Sequence, residues 1–179
     1  MSLQVPATGY NFPFTGDFHP SETALVIIDM QVDFCAPGGW VASLTPALDL
    51  MRAPIEPIKR ILRAVRAAHM KVIYTREGHR SDGSDLTAVK RFRTRLAYDG
   101  AGVGEYTPLG RVLTRGEPGH EIIPELAPEP GDIIIDKVGS GCFYGTEMEH
   151  ILHANGIRHL VFTGVTTECC VHTSMREAA

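Results

Sequence analysis

Short continuous apolar runs alternate along the chain with longer segments whose apolar residues recur at helical spacing. The short runs are "ALVIID" (24–29), "KVIYT" (71–75), "DIIIDK" (132–137) and "HLVFTG" (159–164). Runs of this length, rich in β-branched residues, are typical of strands that are buried on both faces of a parallel sheet. We therefore expect these segments to form one mostly parallel sheet.

The segments between the runs carry helix signals. Residues 53–69 place a stripe of apolar side chains on one face, with basic side chains off that stripe, which predicts an amphipathic helix. In residues 145–159, Thr146 and Glu149 form a capping-box pattern, and Asn155 with Gly156 is a typical helix end. A further helix is expected to begin near Cys169. The region between the second and third runs gives no clear assignment.

Strand and helix thus alternate, which predicts an α/β fold with a doubly wound, mostly parallel sheet flanked by helices. Length and apolar content fit one domain, placed at residues 21–179, because 179 residues with 44% hydrophobic content can bury a core. Residues 1–20 lack periodicity and are expected to form an arm on the surface or on a partner subunit. The last residues, "MREAA", read as the middle of a helix, so the domain is expected to be truncated at its C-terminus.

Charge and cysteine content narrow the function classes. The net charge is −4 with no charged blocks, which gives no reason to expect nucleic acid or an anionic membrane as partner. The cysteines show no metal-finger spacing; they are Cys35, Cys142, Cys169 and Cys170. No signal-peptide pattern is visible, and no apolar run is long enough to span a bilayer. A cytoplasmic protein with free thiols is the expectation.

Reactive side chains follow the strands. Asp29 ends the first apolar run, Lys137 ends the third, and Cys169 and Cys170 follow the last. In open parallel sheets, ligands bind at the carboxyl ends of the strands, so an acid, an ammonium and a thiol would share one edge if the strands are neighbours. Alone, each residue is more often structural, as a turn cap, a solvated lysine or a small core cysteine. Spacing leaves the choice between the two cysteines open.

Three segments carry a family resemblance: "LVIIDMQVDF" (25–34), "IIIDKVGSGCF" (133–143) and "LVFTGVTTECCVHTSMREA" (160–178). Together they resemble the isochorismatase-like cysteine hydrolases, a family with a doubly wound fold. Within that family the chain is most similar to the biuret hydrolase and ureide amidohydrolase branch, through "APIEPIKRIL" (53–62), "YTREGHR" (74–80) and "GRVLTRGEPGHEIIPEL" (110–126).

The resemblance implies a catalytic triad. Asp29 would be the general base and acid, Lys137 the electrostatic activator, and Cys170, the cysteine directly before Val171, the nucleophile. Cys169 would then occupy a variable position and pack beneath the helix. The backbone amides of Thr166 and Cys170 would form the oxyanion hole.

The resemblance also suggests substrate contacts and the absence of a metal. Phe34 is a candidate wall for a flat substrate, although an ordinary core phenylalanine is an equal alternative. Gln31 would orient a catalytic side chain or a substrate amide. Nicotinamidases bind a metal through a D-x-H motif and a second histidine, whereas here Glu77 and His79 stand without that second histidine. No metal or other cofactor is therefore expected.

The implied activity is cysteine-dependent hydrolysis of a C–N bond in a small ureide, with biuret giving allophanate and ammonia as the first hypothesis. Alternatives are triuret, ureidoacrylate or an N-carbamoyl amino acid. A carboxylate on the substrate would call for an arginine, with Arg76, Arg80 and Arg115 as candidates. The chain is expected to form a homo-oligomer, a tetramer or a dimer. A non-catalytic family member that acts through subunit association is the alternative from another class.

Overall fold

The computed structural model describes residues 18–44, 48–97 and 100–179. Its strands in chain order are β1 (Thr23–Ile28), β2 (Lys71–Glu77), β3 (Tyr106–Thr107), β4 (Gly110–Arg111), β5 (Ile133–Lys137) and β6 (His159–Gly164). Within the described ranges, a four-stranded sheet has the order β5-β2-β1-β6, and all its neighbours are parallel. The strands β3 and β4 pair separately as a small antiparallel hairpin.

Helices connect these strands. They are α1 (Val32–Cys35), α2 (Trp40–Leu44), α3 (Leu48–Arg52), α4 (Ile55–Ala67), α5 (Ala88–Ala97), α6 (Met148–Ala154) and α7 (His172–Ala178). Short 3-10 turns lie at Pro20–Glu22, Pro118–His120 and Pro124–Leu126, and a π-helical turn, Thr167–Val171, leads into α7. Of the arm expected over residues 1–20, residues 1–17 lie outside the described ranges.

The strand β1 is the centre of the core. All six of its residues are fully buried, because β2 and β6 flank it and helices cover both faces of the sheet. Leu25 and Ile27 belong to one apolar cluster, which includes the buried stripe of α4. Val26 and Ile28 belong to a second cluster, which includes Met148 of α6 and Cys170. The alternation along β1 therefore joins two apolar layers, and the predicted α/β architecture is confirmed.

The predicted C-terminal end of α6 agrees with the structure, whereas its predicted N-terminal capping box does not form. The helix begins at Met148 with Glu147 as its N-cap, and Thr146 contributes by accepting the N–H of Met148 at 3.2 Å rather than through the predicted capping box. At the other end, the amides of Gly156 and Ile157 bond back to His153 and Leu152, which is the Schellman ending that Asn155 and Gly156 predicted.

The region that the sequence left unassigned contains α5 and the β3–β4 hairpin. The helix α5 was missed because its apolar side chains face outward: Val89 is 65% exposed, Phe92 63% and Leu96 70%. Hydrophobic periodicity identifies helices that pack against a core, and α5 shows no such buried stripe.

The register of the sheet gathers the strand ends. Ile28 pairs with both Thr75 and Gly164, and Glu77 pairs with Lys137. The residues that follow β1, β2, β5 and β6 therefore emerge at one edge, as the strand-end argument required. Among the helices described, none is both long and apolar enough to cross a membrane.

Candidate active site

A buried ion pair lies at the edge of the sheet where the parallel strands end. Nζ of Lys137 lies 2.8 Å from Oδ2 of Asp29, and neither side chain has exposed surface. Asp29 has φ 51°, a left-handed conformation, and Oδ1 accepts the hydroxyl of Thr75 at 2.7 Å. Burial alone would lower the pKa of Lys137, but the charges of Asp29 and Glu77 raise it above its ordinary value. Lys137 is therefore a fixed positive charge at this edge.

Cys170 completes the group. It lies in the π-helical turn after β6 and is 3% exposed. Its Sγ and one carboxylate oxygen each from Asp29 and Glu77 lie within 4.8 Å of one another. The structure thus brings together Asp29, Lys137 and Cys170, three residues that are distant in the chain. This is an arrangement in which a thiolate would meet an ammonium and carboxylates able to carry its proton.

Cys169 takes a different position from the one expected. It is exposed, its Sγ lies 3.3 Å from Oγ of Ser140, and it lines a cleft, so the prediction that it packs beneath the helix is wrong. The two adjacent thiols act on each other: the interaction lowers the pKa of Cys169 to about 6 and, together with burial, raises the pKa of Cys170. Cys170 is therefore the buried thiol of the two, and Cys169 is the one that faces solvent.

Thr166 precedes the cysteine turn in a left-handed conformation, with φ 57°. Its Oγ1 faces the backbone N–H of Cys170 at 3.4 Å, which is at the long limit for a hydrogen bond. A substrate oxygen can compete for so weakly held a donor. The predicted oxyanion hole is thus compatible with the geometry of the turn, and it stays a prediction.

Glu77 is a site residue that the sequence did not single out for this role. It closes β2, is 6% exposed, and its Oε2 lies 3.4 Å from Sγ of Cys170 and 3.4 Å from Nζ of Lys137. Oε1 meets Nζ of Lys90 at 2.5 Å. Burial opposes the charge of Glu77, but Lys137 and Lys90 hold its pKa below the ordinary value. The signal was the position of Glu77 at a strand end, beside the same edge as Lys137.

A cleft of about 510 Å³ opens over the sulfur. Its lining includes Glu77, Thr166 and both cysteines, together with Phe34, Trp40, Lys90 and Arg93. The rings of Phe34 and Trp40 meet edge to face at 6.3 Å, which forms an apolar wall. Phe34 lines the cleft and also belongs to the apolar core, so its role as a substrate wall stays a prediction. A cleft of this size, with one apolar side and a few charged groups, is typical of a site for a small polar molecule.

Comparison with known proteins identifies the family to which this chain belongs. The family model for the isochorismatase domain matches residues 23–179. The chain belongs to the isochorismatase family. It is 35% identical to the ureidoacrylate amidohydrolase RutB of Agrobacterium fabrum over 170 residues, which cover 89% of this chain and 70% of that protein. The RutB protein of Serratia proteamaculans is 31% identical over 176 residues, which cover 89% of this chain and 65% of that relative.

Solved structures agree with the family. A cysteine hydrolase from Pseudomonas syringae pv. phaseolicola superposes with a TM-score of 0.73 at 30% identity, covering 90% of this chain and 67% of that one. N-carbamoylsarcosine amidase from Thermoplasma acidophilum gives a TM-score of 0.65 at 27% identity, covering 88% of this chain and 75% of that one. This isochorismatase-family chain thus spans about two-thirds to three-quarters of the length of these relatives.

Gln31 was predicted to orient a catalytic side chain or a substrate amide, and the structure shows its amide bonded to backbone groups instead. It is fully buried; Oε1 accepts the N–H of Glu77 at 2.8 Å, while Nε2 donates to the carbonyls of Glu77 at 3.0 Å and His120 at 2.9 Å. Both polar atoms of the amide are occupied by backbone groups, and Gln31 does not line the cleft. It fixes the end of β2 from beneath the site.

The cluster of Asp29, Glu77 and Cys170 also has the composition of a cation site, since one ligand atom from each lies within 4.8 Å of the others. The ammonium of Lys137 lies 2.8 Å from Asp29 and 3.4 Å from Glu77, so the chain itself supplies a positive charge there. His79 is buried with Nδ1 3.2 Å from Asp85, which directs that nitrogen away from the cluster.

Proposed function

We propose that this isochorismatase-family domain hydrolyses an amide C–N bond of a small ureide through an S-acyl intermediate on Cys170. The observation that carries the proposal is the meeting of a buried thiol, an ammonium and carboxylates beneath a cleft of about 510 Å³. Relatives named as amidohydrolases and as an N-carbamoylsarcosine amidase support the reaction class.

The reaction begins with loss of the thiol proton. As the sulfur of Cys170 attacks the ureide carbonyl, the proton passes to Asp29, which Thr75 and Lys137 hold in place at 2.7 Å and 2.8 Å. Lys137 stabilises the negative charge that this exchange leaves at the edge. The carbonyl oxygen becomes an oxyanion, for which the amides of Thr166 and Cys170 are the expected donors.

Collapse of the tetrahedral intermediate breaks the C–N bond. The leaving nitrogen takes the proton from Asp29 and departs as ammonia or as an amine. Water then attacks the S-acyl carbon, the S–C bond breaks, and the thiol regains a proton. When an amine leaves, the carbamoyl product decays to ammonia and carbon dioxide. Ammonia is therefore released from biuret, triuret, ureidoacrylate and N-carbamoyl amino acids alike.

Arg93 favours a substrate with a carboxylate. None of the three sequence candidates, Arg76, Arg80 and Arg115, lines the cleft. Arg76 pairs with Asp136 at 2.8 Å, Arg80 lies 3.6 Å from Asp82, and Arg115 donates to the carbonyl of Gly78. Arg93 of α5 does line it, and no acidic group in the described ranges lies within ion-pair distance of it. A guanidinium at the wall binds a planar carboxylate through paired hydrogen bonds. Ureidoacrylate and N-carbamoyl amino acids carry such a group, whereas biuret does not.

A substrate panel tests the proposal. We expect ammonia release to be faster with ureidoacrylate or N-carbamoylsarcosine than with biuret or triuret. Arg93→Gln should lower kcat/KM for the carboxylate-bearing substrate by about 10- to 100-fold, because a charged hydrogen bond is lost. The matched control is Arg91→Gln on the same helix, since Arg91 does not line the cleft.

The outcomes separate the alternatives. Equal losses in Arg93→Gln and Arg91→Gln would contradict a specific role for Arg93 in binding the carboxylate. Biuret as the best substrate, with no effect of Arg93→Gln, would favour biuret hydrolysis. Release of no ammonia from any ureide by the wild-type chain would contradict ureide hydrolysis and favour a non-catalytic family member.

A further inference from the structure

Glu77 has a distinct contact at each carboxylate oxygen. Oε2 accepts hydrogen bonds from Sγ of Cys170 and from Nζ of Lys137, each at 3.4 Å. Oε1 receives the ammonium of Lys90 at 2.5 Å. One buried side chain therefore links the candidate nucleophile to a lysine in the wall of the cleft.

The backbone at Glu77 is held more firmly than a strand end requires. The side-chain amide of Gln31 exchanges two hydrogen bonds with the N–H and carbonyl of Glu77, at 2.8 Å and 3.0 Å. On the other side of the strand, Glu77 is in register with Lys137. A carboxylate fixed on both sides keeps its distance to the sulfur, which is the property expected of a residue that orients a reacting group.

In the resting site neither oxygen of Asp29 accepts a hydrogen bond from the thiol, although one of them lies within 4.8 Å of the sulfur and can take its proton during the reaction. Oδ1 accepts the hydroxyl of Thr75 at 2.7 Å, and Oδ2 lies 2.8 Å from Nζ of Lys137. Oε2 of Glu77 is therefore the carboxylate oxygen that meets the thiol in the resting site. A carboxylate that accepts an S–H hydrogen bond favours the neutral thiol, and its charge disfavours the thiolate.

The charged and titratable groups that act on the sulfur come from each neighbouring element: Asp29 after β1, Glu77 of β2, Lys137 of β5 and the adjacent Cys169. The interaction with the neighbouring thiol of Cys169 and burial raise the pKa of Cys170. The charges of Asp29 and Glu77 raise it further, and the charge of Lys137 lowers it. The sulfur is therefore kept as a thiol by its surroundings.

We propose that Glu77 is a further residue of the active site, which accepts the hydrogen bond of the Cys170 thiol and keeps the sulfur protonated until a substrate binds. Lys90 balances the charge of Glu77 from α5, where its Nζ also donates to the carbonyl of Val138 at 2.9 Å. Glu77 and Lys90 together set how readily the sulfur of Cys170 ionises. This role rests on the proposed function of Cys170 as nucleophile.

Alkylation of Cys170 by iodoacetamide tests this role without any substrate. The pH midpoint is measured in a Cys169→Ser background, with the modified peptide identified by mass spectrometry. Glu77→Gln removes a negative charge and an acceptor next to the sulfur, so the midpoint should fall by about one pH unit. Lys90→Met leaves the charge of Glu77 unbalanced, so the midpoint should rise.

The control is Glu125→Gln, which removes the carboxylate of an ion pair with Arg52 outside the cleft and should leave the midpoint unchanged. Thermal unfolding of each variant establishes that it is folded. Shifts of opposite sign support the proposal. An unchanged midpoint in Glu77→Gln, or shifts of the same sign in both variants, would overturn it, whether or not the chain hydrolyses a ureide.

Discussion

The strand β5 has an ion pair near each of its ends, and the two pairs differ in how deeply their charges are buried. At the amino ends, Arg66 of α4 binds both carboxylate oxygens of Asp132, at 3.0 Å and 2.9 Å, with a quarter of the arginine side chain exposed. At the carboxyl ends, Lys137 lies between Asp29 and Glu77 with no exposed surface. Burial of charge costs several kcal/mol per ion, by an order-of-magnitude estimate, before any attraction is counted. The amino-terminal pair avoids most of that cost, and the carboxyl-terminal cluster does not.

This difference indicates where the molecule uses charge for chemistry rather than for stability. The Arg66 pair has the planar two-bond geometry that stabilises an exposed connection between a helix and a strand. The cluster around Lys137 faces a thiol and the floor of a cleft, where groups with shifted pKa values are typical of functional sites. The following changes test the two ends separately.

The largest effect is expected from Lys137→Met. Without the ammonium, two carboxylates remain buried beside each other, so the free energy of unfolding should fall by about 3–5 kcal/mol at neutral pH. Activity should be lost with it, because the thiolate loses the ammonium that stabilises its charge. Chemical denaturation and ammonia release measure the two effects.

The pH dependence sharpens that result. In the wild type, Glu77 has a lowered pKa, so its contribution to stability is present at neutral pH and is lost as the pH falls through its folded-state pKa. In Lys137→Met the carboxyl pKa values should lie above those of the unfolded chain, so the variant gains stability as the pH falls. The difference in unfolding free energy should therefore shrink toward about pH 4. A constant difference would contradict the buried-charge account.

The smaller effect is expected at the amino ends. Arg66→Gln removes two hydrogen bonds to Asp132, whose side chain is 7% exposed, so the free energy of unfolding should fall by about 1–2 kcal/mol, less than in Lys137→Met. Ammonia release should stay within about twofold of the wild type, because Arg66 lies at the opposite end of the strands. A loss of activity larger than the loss of stability explains would show that the two ends are coupled.

The sequence predicted the sheet because β1 and β5 are continuous apolar runs. It predicted that reactive side chains share one edge of that sheet because Asp29, Lys137 and Cys170 each lie at or after the end of a strand. It did not predict the role of Glu77, since "YTREGHR" reads equally well as the start of a polar loop. Which face a strand-end side chain takes depends on pairing with β5, and pairing is a property of the fold rather than of a local pattern.

Other features depend on neighbours that no local pattern specifies. Cys169 and Cys170 are chemically identical in sequence, and only the π-helical turn exposes one and buries the other. Arg93 was overlooked because α5 has no buried stripe, so the helix and its orientation toward the cleft could not be read from periodicity. The homo-oligomer and the cytoplasmic location stay predictions.

The central claim is that the sulfur at position 170, rather than its neighbour, performs the reaction. Its most direct test is ammonia release by Cys170→Ser and by the matched Cys169→Ser, with the best ureide of the panel as substrate. We expect Cys170→Ser to lose at least about 10³-fold in kcat and Cys169→Ser to stay within about threefold of the wild type. Persistent turnover in Cys170→Ser, or an equal loss in Cys169→Ser, would contradict the account.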